Sequence, residues 1–95
     1  MNPVRTLSMI YVYVLKSSKD EKLYTGLTRN LPQRIKEHNE GGVFSTKLRR
    51  PFVPIYYEAC LSENDARRRE IYLKTGMGKR YLKNRLKNTL EVLTG

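Results

Sequence analysis

Tyr24-Thr25-Gly26-Leu27-Thr28-Arg29-Asn30-Leu31-Pro32-Gln33-Arg34-Ile35-Lys36-Glu37-His38 is the stretch around which the chain is organised. It starts as a strand ending in glycine and continues as a capped helix. Asn30 is the N-cap candidate, Gln33 completes a capping box and Pro32 is tolerated in the first turn. Gly41-Gly42 supplies the stop, which predicts a helix over 31–40. At 100° per residue, Leu31, Arg34, Ile35 and His38 share one face. Lys36, Glu37, Asn39 and Glu40 serve the outer face. An arginine and a histidine in the stripe that should be buried call for an explanation beyond packing.

Working outward, Met9–Lys16 is a β-branched, aromatic and aliphatic run without polar alternation, as expected of a central strand covered on both faces. Residues 17–20 form a turn and Lys22–Thr28 the returning strand. A four-residue loop would place Tyr13 opposite Tyr24 on one sheet face. A one-residue slip would separate them. Beyond the helix, 43–54 is expected to be a loop, and Pro51 and Pro54 argue against a central strand there. Ile55–Leu61 is the third strand. Ser62 caps a helix over 63–75 that Gly76 ends, and Gly78 precedes a last helix from Lys79 to about Asn88. Leu90, Val92 and Leu93 form an apolar tail expected to fold back on the body. The order is ββαβαα. It implies an α/β (α+β) layer with a three-stranded, mainly antiparallel sheet flanked by about three helices.

The 95 residues suffice for one domain, taken as 9–95 behind an N-terminal extension at 1–8, and the 39% hydrophobic content builds one modest core. The formal charge of +10 points to a polyanionic partner, nucleic acid before an anionic membrane or a merely solvated surface. Cys60 is the single cysteine, so no internal disulfide is available, and it is expected to be a buried thiol. With one histidine and one cysteine, a zinc site has no support. No stretch approaches the ~20 apolar residues of a membrane span and no signal-peptide core is evident, so a cytoplasmic location is expected.

Glu70 lies between Ala66 and Leu73 on the inward stripe of the 63–75 helix, among Arg67, Arg68, Arg69 and Lys74. A carboxylate on an apolar face should be paired, metal-bound or protonated. Tyr13, Tyr24, Arg34, His38 and Glu70 thus all fall on faces expected to point inward. Singly, each has an ordinary role in packing or ion pairing. Together they suit phosphodiester hydrolysis, which needs an activated nucleophile, a cation on the phosphoryl oxygens and help for the leaving oxygen. From Arg67 to Lys87 nine Lys/Arg accompany one acid, Glu70. Arg67, Arg68, Lys74, Lys79, Arg80 and Lys83, joined by Lys47, Arg49 and Arg50 of the loop, are candidates for contacting a phosphate backbone without reading sequence.

Tyr11-Val12-Tyr13 and Tyr24-Thr25-Gly26, followed by the Arg34 helix and Glu70, resemble the GIY-YIG nuclease superfamily over residues 9 to about 88. The likeness is greatest to its small standalone bacterial members, whose pattern Lys36-Glu37-His38-Asn39, Arg50-Pro51 and Arg68-Arg69-Glu70 fit. The resemblance implies a small α/β layer and a divalent-metal-dependent endonuclease acting on DNA, with structured, damaged or single-stranded DNA and a DNA-repair role open to it. It assigns Tyr13 and Tyr24 to the motif tyrosines, one helping to activate water, and Arg34 to steadying the scissile phosphate. It makes Glu70 the single protein ligand to Mg²⁺ (or Mn²⁺), which keeps most of its other ligands as water and phosphate. It gives His38 a part in proton transfer. The chain departs from the pattern at Tyr11, where a glycine leads the first motif, and at Leu27, where several members carry a lysine that His38 or Arg29 would have to replace. Asn84 or Asn88 matches a late asparagine. The competing reading is a non-catalytic nucleic-acid-binding module or repair adaptor. A monomer is the default, with any specificity beyond the domain supplied by a protein partner.

Overall fold

The two-sided apolar run becomes the middle of the sheet. In the computed structural model, which describes residues 8–94, β1 (Ile10–Ser17) lies between β2 (Leu23–Thr28) and β3 (Phe52–Cys60), antiparallel to both. Of the expected extension at 1–8, all but Ser8 lies outside the described residues. α1 (Leu31–Asn39) follows β2, and a short 3₁₀ turn (Lys47–Arg49) precedes β3. α2 (Glu63–Lys74), α3 (Gly76–Arg85) and α4 (Lys87–Thr94) complete the chain, so the apolar tail forms a fourth helix. The α+β layer with its three-stranded antiparallel sheet is as expected.

Ile10, Val12 and Val14 point to the side covered by α2 and α3, where Ala66, Leu73, Leu82 and Leu86 complete the larger core. Tyr13, Leu15 and Phe52 point to the other side and pack with Tyr24, Leu31 and Ile35 under α1. Alternate strand residues therefore feed two cores, which is why β1 shows no polar alternation. Leu90 packs against the larger core while Val92 and Leu93 stay exposed, so the tail folds back only in part.

The β1–β2 register differs from the expected one by two residues: Tyr13 opposes Gly26 and Leu15 opposes Tyr24. Ser17 is the cause. It belongs to β1 rather than to the turn, and its buried hydroxyl donates to Arg49 O at 2.6 Å while accepting the Lys19 and Asp20 N–H groups at 3.1 Å. The turn closes beyond it, with Glu21 in the left-handed region at φ 65°. An even displacement leaves both tyrosines on the same face. β3 begins at Phe52, three residues before the expected start, and admits Pro54 because it is an edge strand. The register shifts there, with Val14 opposite Tyr56 and Leu15 opposite Pro54. At the other correction, Gly76 opens α3 instead of ending α2, because Thr75 ends one helix and caps the next by accepting the Gly78 N–H at 3.1 Å. Cys60 is half-buried rather than enclosed, and burial pushes its thiol pKa up.

Candidate active site

α1 is held at both ends by local chemistry. The Asn30 side chain accepts the Gln33 N–H at 3.2 Å, as expected of the N-cap. The reciprocal half of the capping box is absent, since Thr28 Oγ1 takes the Asn30 N–H at 3.1 Å. At the far end Gly41 adopts φ 82°, its N–H reaching His38 O at 3.3 Å and that of Gly42 reaching Glu37 O at 2.9 Å, the pattern of a Schellman stop. Asn39 then ties the helix to β3, donating to Phe52 O at 3.0 Å and accepting the Phe52 N–H at 2.7 Å. This anchoring fixes where His38 and Arg34 meet the sheet.

His38 is fully buried and both its ring nitrogens are engaged. Nε2 lies 2.8 Å from the Tyr13 hydroxyl and Nδ1 lies 2.8 Å from Thr46 Oγ1. Thr46 is also fully buried, and its hydroxyl donates to Val43 O at 3.4 Å. A hydroxyl that gives its proton to a carbonyl accepts at Nδ1–H. This selects the tautomer in which Nε2 accepts from Tyr13. Burial, then the charge of Arg34, push the His38 pKa down, so the ring is neutral.

The ring of Tyr13 lies against Gly26: a Cβ built there would stand 2.5 Å from the hydroxyl oxygen and 2.7 Å from Cζ. The motif glycine thus makes room for the motif tyrosine of the neighbouring strand. Tyr13 is 1% exposed, and desolvation holds its pKa up at about 12, with the Arg34 guanidinium pulling it down and the Tyr24 and Glu70 charges pushing it up. Arg34 in turn is held charged by the Tyr13 hydroxyl and by Glu37, which it meets at 3.1 Å. Tyr24 completes the group, its ring centroid 4.9 Å from that of His38 and 6.3 Å from that of Tyr13, edge-on or tilted in each case. The structure therefore gathers Tyr13, Tyr24, Arg34 and His38 under α1. Glu70, on α2, lies within electrostatic reach of the same hydroxyl.

Glu70 is four-fifths buried, and its one ion-pair partner among the described residues is Lys74 at 3.3 Å. The described residues contain no group of three or more His, Cys, Asp or Glu able to enclose a metal ion. A single, largely buried carboxylate would suit Mg²⁺ or Mn²⁺, which accept one protein oxygen and fill their shells with water and phosphate, once the half-exposed Lys74 ammonium is displaced from it. It does not suit zinc. Leu27, the position at which the resemblance expects a lysine, packs against the larger core. Of its two possible substitutes, Arg29 turns to Ser8 and Glu63, at 3.3 and 3.5 Å, whereas His38 reaches Tyr13.

The basic residues divide. Arg49 is bound to Asp20 at 2.7 Å over the Phe52 ring, and it holds the Asp20 carboxyl well below the usual carboxylate range. Arg67 pairs with Glu63 at 3.7 Å and Arg68 with Asp65 at 2.8 Å. Arg50 donates to Lys47 O at 2.7 Å, and Lys47 Nζ lies 4.9 Å from the ring centroid of the exposed Phe44. Lys79, Arg80 and Lys83 are exposed and enter no ion pair among the described residues. Sequence reasoning missed Thr46, which lies in the 43–54 segment read only as a loop. Its one signal was position, eight residues after His38 and beyond a glycine-marked helix end.

Comparison with known proteins agrees with this geometry. The family model described as the GIY-YIG catalytic domain matches residues 9–88. A UPF0213 protein of Clostridium perfringens is 49% identical over 67 residues, covering 70% of this chain and 71% of its own. One from Staphylococcus haemolyticus is 50% identical over 66 residues, covering 68% and 79%. The solution NMR structure of a UPF0213 protein from Bacillus halodurans superposes with a TM-score of 0.51 at 35% identity, covering 80% of this chain and 83% of that one. No helix among the described residues is long and apolar enough to cross a membrane.

Proposed function

We propose that this chain, which belongs to the GIY-YIG nuclease family, is a divalent-metal-dependent endonuclease that hydrolyses phosphodiester bonds in DNA. The observation that carries the reading is the Tyr13 hydroxyl. It lies 2.8 Å from a neutral imidazole and feels the charges of Arg34 and Glu70. In this reading a proton acceptor, a cation and a carboxylate that would hold a metal ion act together on one phosphodiester, as in-line attack requires.

In this reading Glu70 would hold the divalent ion, which supplies charge neutralisation on the phosphoryl and leaving oxygens. Arg34, half-buried and paired with Glu37, presents its remaining N–H groups to the scissile phosphate. The half-buried Tyr24 faces the same point from β2 and orients the attacking water. With a pKa of about 12 Tyr13 stays a phenol at neutral pH, so it serves as a relay. Its O–H passes a proton to His38 Nε2 as the hydroxyl takes one from the water. Thr46 holds the opposite ring proton throughout. The imidazolium so formed lies near Arg34, which favours release of that proton afterwards.

The test compares wild-type, Glu70→Gln and Tyr24→Phe proteins on labelled single-stranded, duplex and branched DNA and on RNA, with Mg²⁺ or Mn²⁺. Glu70→Gln is expected to lower the cleavage rate by about 10²–10³-fold while binding is kept. Equal rates in all three proteins, or binding without any metal-dependent turnover, would overturn the reading; the latter result would identify a binding module.

A further inference from the structure

β2 is the edge of the sheet opposite β3, and two hollows line its outer side. The first, of about 210 Å³, is bordered by Tyr24, Leu23, Lys74 and Lys79 among others. The second, of about 300 Å³, is bordered by Glu21, Lys22, Leu23, Lys79 and Lys83. They share Leu23 and Lys79, so they form one groove leading from Tyr24 along the β2 edge to Lys83. Lys22, Lys79 and Lys83 enter no ion pair among the described residues, unlike Arg67, Arg68 and Arg49. The acid in the groove, Glu21, is bound by Lys16. Three ammonium groups thus face a hollow with their one counter-charge already taken, which disfavours the empty state and favours a polyanion.

We infer that this groove carries the phosphodiester backbone of the strand being cut, leading it from Tyr24 past Lys79 to Lys22 and Lys83. Lys79 and Lys83 stand one turn apart on α3, about 5–6 Å between Cβ atoms, close to the separation of successive phosphates along one strand. Lys22, just before β2, borders the same hollow as Lys79 and Lys83, so the strand is clasped from two parts of the chain. Lys74 stands at the junction, engaged by Glu70, and is left out of the contact set. The groove fixes the direction in which the substrate leaves the site, and it assigns the binding to this edge rather than to the exposed faces that carry Arg67 and Arg68. The inference rests on the reading of the chain as acting on nucleic acid.

The experiment uses the wild-type side chains at Glu70 and Lys74, with EDTA to suppress metal-dependent cleavage, and a fluorescein-labelled single-stranded DNA followed by anisotropy over a series of NaCl concentrations. A triple variant, Lys22→Gln/Lys79→Gln/Lys83→Gln, is compared with a charge-matched triple, Lys36→Gln/Arg67→Gln/Arg68→Gln. At roughly 0.7 of log–log salt slope per lost contact, the groove triple should lower the slope by about 2 and weaken binding roughly 10²-fold at 0.1 M salt. The matched triple should weaken it about threefold or less, through screened net charge alone. Lys79→Gln and Lys83→Gln singly, which remove only exposed side chains, should each lower the slope by about 0.7. Equal weakening by both triples, or none by the groove triple and the singles, overturns the groove and leaves the nuclease reading standing. A parent protein that binds no DNA at any salt overturns both.

Discussion

Replacing Gly26 by alanine sets two well-defined effects against each other, and the structure decides the sign. In the interior of a strand, glycine is about 0.5–1 kcal/mol less favourable than alanine, so backbone entropy alone makes Gly26→Ala stabilising. The added methyl, however, would lie 2.5 Å from the Tyr13 hydroxyl oxygen, 2.7 Å from Cζ and 3.1 Å from Cε1. The ring cannot swing aside cheaply. It is 1% exposed, its hydroxyl is held to His38 at 2.8 Å, and His38 and Tyr24 flank it with centroids 5.7 and 6.3 Å away. Overpacking of this kind costs about 1–3 kcal/mol. A displaced Tyr13 would add the cost of an unpaired Nε2 in a buried ring. The net expectation is a loss of about 1–2 kcal/mol, which for a domain of this size is a fall in Tm of roughly 5–15 °C. Thermal and urea unfolding of the purified variant measure it directly. A double-mutant cycle with Tyr13→Phe, which deletes the nearest atom, should show a coupling of about 1 kcal/mol between the two positions. Gly26→Ala melting at or above the wild type would refute the claim that the glycine is there to admit the tyrosine.

Two further expectations follow from the buried histidine. Thr46→Val keeps the shape of the side chain but strips His38 Nδ1–H of its acceptor. It should cost about 1–3 kcal/mol in urea unfolding and slow cleavage beyond that loss, with Thr46→Ser restoring both; Val and Ser variants that behave alike would remove Thr46 from the relay. Because the folded-state pKa of His38 is depressed, the unfolded chain binds the extra proton first as pH falls. Stability should therefore decline from about pH 6.5 downward until the folded pKa is reached, a slope that a His38→Phe variant should lack when Tm is followed from pH 7.5 to 5.

The parts of the site that were legible in the sequence are those set by local chemistry. Asn30 caps α1, Gly41 stops it, and the 100° spacing of Leu31, Arg34, Ile35 and His38 puts all four toward the sheet. The two-sided apolar run identified β1 as central because a strand between two packed faces has no polar alternation to show. The register was less legible, since nothing in Ser17-Ser18-Lys19-Asp20 announces that Ser17 belongs to the strand. Its place depends on Arg49 O, a partner 32 residues away. Arg49 itself looked like a phosphate contact because isolated basic residues in a loop carry no mark of an acid elsewhere in the chain; here that acid is Asp20.

Parity explains why the site survived the mistaken register. A strand's side chains alternate, so a displacement of two residues exchanges neighbours without exchanging faces. Tyr13 moved from opposite Tyr24 to opposite Gly26, and both tyrosines still met His38. The exchange also gives the second motif its physical sense. Tyr24 and Gly26 lie two positions apart on the same face of β2, so glycine leaves the space that the tyrosine of β1 fills while Tyr24 borders it. A larger residue at position 26 would press on the Tyr13 hydroxyl and strain its contact with His38. The spacing Tyr-x-Gly is therefore a packing requirement before it is a catalytic one. Lys22 immediately precedes the same edge strand, so the element that shapes the site also borders the groove leading from it.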